Sequence, residues 1–237
     1  MRNMTLFAIC VILVISFSVS FGIAGTFIDD FTDPAKTEAT WEVIHRDWIL
    51  KDGTYSSPGA AGLTQDPITL LPIEVEDGMV IEAQCGDRGD GNWSNFAVIY
   101  GYEDDDLVWS AGAGVGNDQW RIFQFTPIAS KGGAWGVDAV PGIPVKKPLD
   151  PNEWYNIRIE IKGTEITLFG SSTPESKDLK EENVFKMKKP PKGRIGLGAA
   201  GASPTFNWIK VTGKNVNDLF PVEPKDKLAT AWGKLKA

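Results

Sequence analysis

Aromatic rings are the side chains of this sequence best suited to chemistry, and they gather in its middle third. Trp93, Tyr100, Tyr102, Trp109, Trp120 and Trp135 sit on strand-like segments or the turns beside them. Flat rings stack on the C–H faces of sugars, while a few polar groups orient the hydroxyls. Arg121, Glu82 and Gln84 are the polar candidates for that work. Together these residues are the expected ligand-binding set. The competing reading places Tyr100, Tyr102 and Trp120 between two sheets as core. Trp93, next to a glycine-rich turn, is the ring expected to be exposed.

The stretch "CGDRGDGNWSNFAVIYGYEDDD" (85–106) offers other chemistry. Asp87, Asp90 and Asn92 present hard oxygen ligands, which makes calcium the one candidate cofactor, with no cofactor required. Their spacing departs from an EF-hand loop, where acidic groups alternate and end in a bidentate glutamate. Arg88-Gly89-Asp90 spells an adhesion tripeptide, yet glycine and aspartate are the residues that turns use. The acidic run 103–106 reads most simply as a hairpin tip. His45 is the single histidine, which precludes a multi-histidine metal site, and no conventional Ser-His-Asp motif is evident. It reads as an edge-strand polar residue.

These residues need elements to position them. Residues 1–24 read as a secretory signal peptide and stand outside the fold. Arg2 supplies a short positive start, Leu6 to Val19 is almost unbroken apolar sequence, and Gly22-Ile23-Ala24 offers small residues for a peptidase. Cleavage after Ala24 or Gly25 predicts a secreted or periplasmic protein with no remaining membrane span. It removes Cys10 and leaves Cys85 alone, so the exported chain is held by its core and not by a disulfide. The net charge of −7 becomes one unit more negative when Arg2 is lost. That balance argues against nucleic acid or an anionic membrane as partner.

Strand signals dominate residues 26–213. In "WYNIRIEIKG", Tyr155, Ile157, Ile159 and Ile161 alternate with polar residues, and Gly163-Thr164 turns the chain into "EITLFG". A period of two means one buried and one wet face, so 154–169 reads as a hairpin. "MVIEAQC" puts Met79, Ile81, Ala83 and Cys85 on one face. "NFAVIYGY" has no polar face, with Phe96, Val98, Tyr100 and Tyr102 on one side and Ala97, Ile99 and Gly101 on the other, as in a central strand covered on both sides. "WRIFQF" and "TFNWIKVT" complete the set. The reading is an all-β, two-sheet antiparallel β-sandwich of jelly-roll type. Residues 178–185 read as a turn or two of helix, and 127–152 as a loop too rich in Pro and Gly for regular structure. The tail, 214–237, has Leu228, Trp232 and Leu235 at helical spacing, and a partner could engage it.

"FIDDFTD", "WILKDGTY", "WSNFAVIYGYEDDDLVWSAG" and "EWYNIRIEIKGTEITLFG", with "KGRIGLGAAGASPTFNWIKVTG", together resemble the concanavalin A-like lectin/glucanase superfamily. The likeness is greatest to its laminin-G-like and 3-keto-disaccharide hydrolase (DUF1080-type) branches. Glucanases of the superfamily carry acids at i, i+2 and i+5 on one strand, a nucleophile and an acid/base among them. Here Glu74 and Glu76 are followed by Met79, and Asp77 and Glu82 lack the middle acid. The resemblance, the nine tryptophans and the missing acidic trio, with the signal segment, together give the leading expectation. It is an exported, mostly monomeric, non-catalytic module that binds carbohydrate or another extracellular ligand. Its alternatives are a 3-keto-glycoside-cleaving enzyme and an extracellular adhesion or scaffold module.

Overall fold

The computed structural model describes residues 24–58, 65–87, 95–114, 118–128, 137–145, 148–150, 152–171, 173–174, 176–200 and 203–216. In chain order its elements are β1 (Gly25–Asp29), α1 (Pro34–Thr40), β2 (Glu42–His45), β3 (Ile49–Lys51), β4 (Thr54–Ser56) and β5 (Ile68–Glu74). There follow β6 (Val80–Asp87), β7 (Asn95–Asp104), β8 (Leu107–Gly114), β9 (Gln119–Phe125), β10 (Val137–Asp138) and β11 (Ile143–Pro144). The last five are β12 (Tyr155–Lys162), β13 (Glu165–Ser171), β14 (Leu179–Lys186), β15 (Arg194–Gly198) and β16 (Pro204–Gly213).

Every pairing is antiparallel, and the strands form two sheets. The first runs β14-β13-β12-β6-β16-β4-β3, with β1 also on β16. The second runs β10-β9-β8-β7-β15-β5-β2, with β11 also on β9. Alternation explains the packing between them. Ile81, Ala83, Ile157, Ile159 and Ile209 from the first sheet meet Phe96, Val98, Ala111, Ile122 and Leu197 from the second in one buried cluster. Each Val, Leu, Ile or Phe among them contributes about 1.5–3 kcal/mol on burial. That core is what holds the sandwich, because Cys85 is a buried free thiol.

The strand β7 is covered on both faces, as "NFAVIYGY" predicts. Ala97 and Ile99 join a second buried cluster with Ile68, Leu70, Val108, Phe123 and Phe125 on the outer face of the second sheet. Gln65 bridges Ile128 next to these residues, and Asp66 N–H donates to Pro127 O at 2.8 Å. The segment entering β5 and the segment leaving β9 are separated by β8, β7 and β15. Their bridge must cross those strands on the outer side, since the inner side holds the other sheet. On that face Ala97, Ile99, Val108 and Phe123 are fully buried.

Three sequence expectations need correction. Residues 178–185 lie almost wholly in β14, although Leu, Lys and Glu favour helix, because the free edge of β13 supplies backbone partners. Within 127–152, β10 and β11 both pair with β9, so part of that segment is regular. Tyr102 does not share a face with Tyr100. The register shifts between Ile99 and Gly101, and Tyr102 comes opposite Val108 with its ring on the outer cluster. One extra residue in a bulge reverses the alternation beyond it. The sequence also gave no hint of α1, which Asp33 caps by accepting from Lys36 N–H at 3.2 Å, with Pro34 in its first turn.

Candidate functional site

The inner core opens to solvent along one border of the sandwich, where β8 and β9 approach β14. Asn183 Nδ2 donates to Pro141 O at 3.2 Å, which ties β14 to the turn between β10 and β11. Beside this tie lies a groove of about 780 Å³. Trp109 of β8 and Phe185 of β14 form its floor, stacked with centroids 5.6 Å apart and planes at 26°. Both rings are half-buried. Gln124, cross-strand from Trp109, and Asp138 on β10 supply polar groups along one wall. A ring backed by another ring, with its remaining surface beside an amide and a carboxylate, is geometry that suits a sugar ring.

The opposite wall is the connector 187–193, "MKKPPKG". It is anchored at both ends: Met187 N–H donates to Thr164 O at 2.8 Å, and Val75 N–H donates to Gly193 O at 2.9 Å. Gly193 has φ 90°, and a Cβ there would stand 2.2 Å from Tyr102 O. Only glycine fits this approach. Glu103, Pro191 and Lys192 belong both to the groove and to an adjoining recess of about 540 Å³ that Tyr102 and Arg194 line.

Tyr102 O–H donates to Asp105 Oδ1 at 2.7 Å, and His45 Nε2 approaches the same oxygen at 2.7 Å. His45 is thus partnered on the edge of the second sheet. Burial, and then the bonded Asp105 carboxylate, push the Tyr102 hydroxyl well above the usual tyrosine range. The Tyr102 hydroxyl thus stands as a hydrogen-bond donor to Asp105.

The remaining predicted site residues scatter. Tyr100 and Trp120 are fully buried between the sheets and offer no stacking face, so the core reading holds for both. Burial also pushes the Tyr100 hydroxyl up. Arg121 pairs with Asp138 at 2.6 Å and lies over the Phe123 ring, so it orients a groove carboxylate. Glu82 and Gln84 face away from the groove on the first sheet, bonded to Lys210 at 2.7 Å and Asn207 at 2.6 Å. Glu82 and Gln84 are therefore not brought to the groove. Trp93, Trp135, Asp90, Asn92 and the Asp87 side chain lie outside the described residues, and the calcium expectation with them. Among the described residues no three His, Cys, Asp or Glu side chains converge as a metal site would require.

Of the predicted set, then, the structure brings Trp109 to the groove, with Arg121 behind it and Tyr102 next door. Sequence reasoning missed Phe185, Gln124, Asp138 and the lysine-bearing connector. The only signal for the connector was the run "KMKKPPKG" itself.

No family model matches the chain, and no curated protein does. Solved structures do. A carbohydrate-binding module, CBM66 from Bacillus subtilis, matches with a TM-score of 0.54 at 15% identity, covering 70% of this chain and 91% of that one. The β-glucanase of Bacillus licheniformis matches with a TM-score of 0.53 at 10% identity, covering 79% and 97%. The fold is a concanavalin A-like jelly roll. The exoplasmic/lumenal domain of VIP36, solved in a Ca2+/Man3GlcNAc-bound form, matches at 0.53 and 12% identity, covering 79% and 88%. A concanavalin A-like jelly roll thus serves sugar-binding and glucan-cleaving proteins alike, and identities this low carry the fold alone. In this jelly roll, no helix among the described residues is long and apolar enough to cross a membrane.

Proposed function

We propose that the chain is an exported, non-catalytic carbohydrate-binding module whose site is the groove floored by Trp109. The observation that carries this reading is the half-buried Trp109 ring, held by Phe185 beside Gln124 and Asp138. Holding the ring in advance lowers the ordering cost of binding. Replacing Trp109 with alanine is expected to weaken polysaccharide binding by about 1–3 kcal/mol, about five- to 150-fold, by analogy with base rings on aromatic platforms. Affinity electrophoresis against a panel of polysaccharides measures it. Binding that Trp109→Ala leaves unchanged would remove the groove from consideration. Export is part of the proposal, and mature protein that still began at Met1 on N-terminal sequencing would contradict it.

One observation favours catalysis as the second reading: two carboxylates, Glu103 and Asp138, line the same groove. Carboxylate pairs are what glycoside cleavage requires. Glu74 and Glu76 do not supply such a pair, because Glu76 turns away to accept from Asn215 N–H at 2.9 Å. Turnover of a 3-keto-disaccharide that Glu103→Gln abolished, with binding retained, would establish the enzyme.

A further inference from the structure

We infer that the groove takes an anionic polysaccharide, whose carboxylate or sulfate groups Lys188, Lys189 and Lys192 bind while Trp109 stacks on a sugar ring. This rests on the carbohydrate-binding reading of the groove and names its ligand class. The chain carries 31 acidic residues against 24 basic ones, so a cation has no shortage of partners. Some cations elsewhere find them: Lys162 pairs with Glu160 at 2.8 Å, Lys210 with Glu82 at 2.7 Å and Arg194 with Glu42 at 2.5 Å. Other exposed lysines, Lys51, Lys177 and Lys214 among them, make no ion pair among the described residues but lie apart from one another, whereas three gather on one rim of the groove. Lys188, Lys189 and Lys192 have exposed side chains, line the groove and make no ion pair among the described residues.

Their backbone is fixed. The connector is anchored at Met187 and Gly193, and Pro190 and Pro191 between the lysines lock two backbone torsions. Three like charges are thereby held along one rim, and their mutual repulsion is relieved when an anion binds between them. The carboxylates of the groove do not cancel them. Asp138 already accepts from Arg121 Nε at 2.6 Å, which leaves Glu103 as the other carboxylate among the groove's described lining residues, against three lysines. A neutral sugar has nothing to offer such a rim, because hydroxyls replace the water around an ammonium without gaining charge attraction. A uronate or sulfated chain offers one anion per repeat and a ring face for Trp109. The rest of this acidic chain repels such a polymer and steers it to the rim.

The test uses the full exported chain in affinity electrophoresis with polygalacturonate, dextran sulfate, neutral dextran and laminarin, and a single-stranded DNA oligonucleotide as a further polyanion. One variant combines Lys188→Gln, Lys189→Gln and Lys192→Gln. A charge-matched control combines Lys51→Gln, Lys177→Gln and Lys214→Gln. The expected result is retardation by polygalacturonate or dextran sulfate, the stronger of the two identifying carboxylate or sulfate as the recognised group. It should weaken by about tenfold as salt rises from roughly 50 to 300 mM. The groove variant should lose about tenfold in affinity at an unchanged melting midpoint, and the control should not. If a neutral polymer binds through Trp109 and the groove variant is silent, this inference fails while the carbohydrate reading stands. If no polysaccharide is retarded, both fail. If DNA binds as well as the polysaccharides and Trp109→Ala has no effect, the rim is a general anion binder and the glycan assignment is overturned.

Discussion

Asp29→Ala is expected to destabilise the sandwich by about 3–5 kcal/mol, a large part of what a domain of this size possesses. Asp29 is fully buried at the end of β1 and accepts from three donors. Phe31 N–H reaches it at 3.1 Å, Thr37 Oγ1 at 3.0 Å and Trp41 Nε1 at 2.9 Å. One carboxylate thus joins the first strand, the short helix α1 and the indole that follows it. A seven-residue helix has little stability of its own and depends on such ties. Alanine leaves three buried donors without an acceptor, and each costs about 1–3 kcal/mol when unsatisfied, with partial relaxation between them. Asp29→Asn keeps one acceptor oxygen and should cost roughly half as much. A thermal melt would show the alanine variant down by about 6–15 °C. A shift of only a degree or two would mean the network contributes far less than its geometry implies.

Trp120→Ala is expected to cost about 3–5 kcal/mol, without touching the ligand site directly. Trp120 is fully buried, meets the Phe96 ring edge-on at 6.2 Å, and lies against Gly170 of the opposite sheet. A Cβ at Gly170 would stand 2.2 Å from the indole, so the glycine makes the space that the indole fills. Truncation to alanine leaves a cavity that a close-packed sandwich closes only in part. Trp120 Nε1 has no hydrogen-bond partner among the described residues, so phenylalanine sacrifices no bond seen there and should cost only about 1 kcal/mol. Denaturant titration of the two variants measures the difference. The pair also separates two kinds of tryptophan. Trp120→Phe should retain polysaccharide binding, whereas Trp109→Ala should lose it at a smaller stability cost than Trp120→Ala, because the Trp109 ring is only half-buried. Loss of binding in a folded Trp120→Phe protein would contradict the assignment of the groove to Trp109.

The second pair of variants shows why the ligand-binding set was only partly legible. Trp109 and Trp120 have the same side chain and lie on neighbouring strands, with nothing local to tell them apart. What separates them is that Trp120 is fully buried against Gly170 of β13, one strand in from the border, while Trp109 reaches the border strand β14 itself. Tyr100 and Tyr102 fail for a related reason. Their spacing promises a shared face, and the bulge between Ile99 and Gly101 cancels it. Whether a strand accommodates an extra residue depends on the register of its neighbours, which no window of one strand contains. Likewise "KMKKPPKG" reads as a solvated linker until β14 and β15 place it along the groove.

The sequence by itself determined the architecture. Period-two alternation in "WYNIRIEIKG" and "MVIEAQC", two-sided apolarity in "NFAVIYGY" and glycine turns are properties of a few adjacent residues. Each carries its own physical reason, namely that a strand sends successive side chains to opposite faces. Two sheets packed through those faces follow almost directly. Only the tertiary structure decided which aromatic rings remain open, that Glu82 is bound to Lys210 on the far sheet, and that Asp138, Glu103 and three lysines border one groove. Those facts depend on contacts between residues distant in sequence, where sheet edges, bulges and the course of a connector set what a ligand can reach.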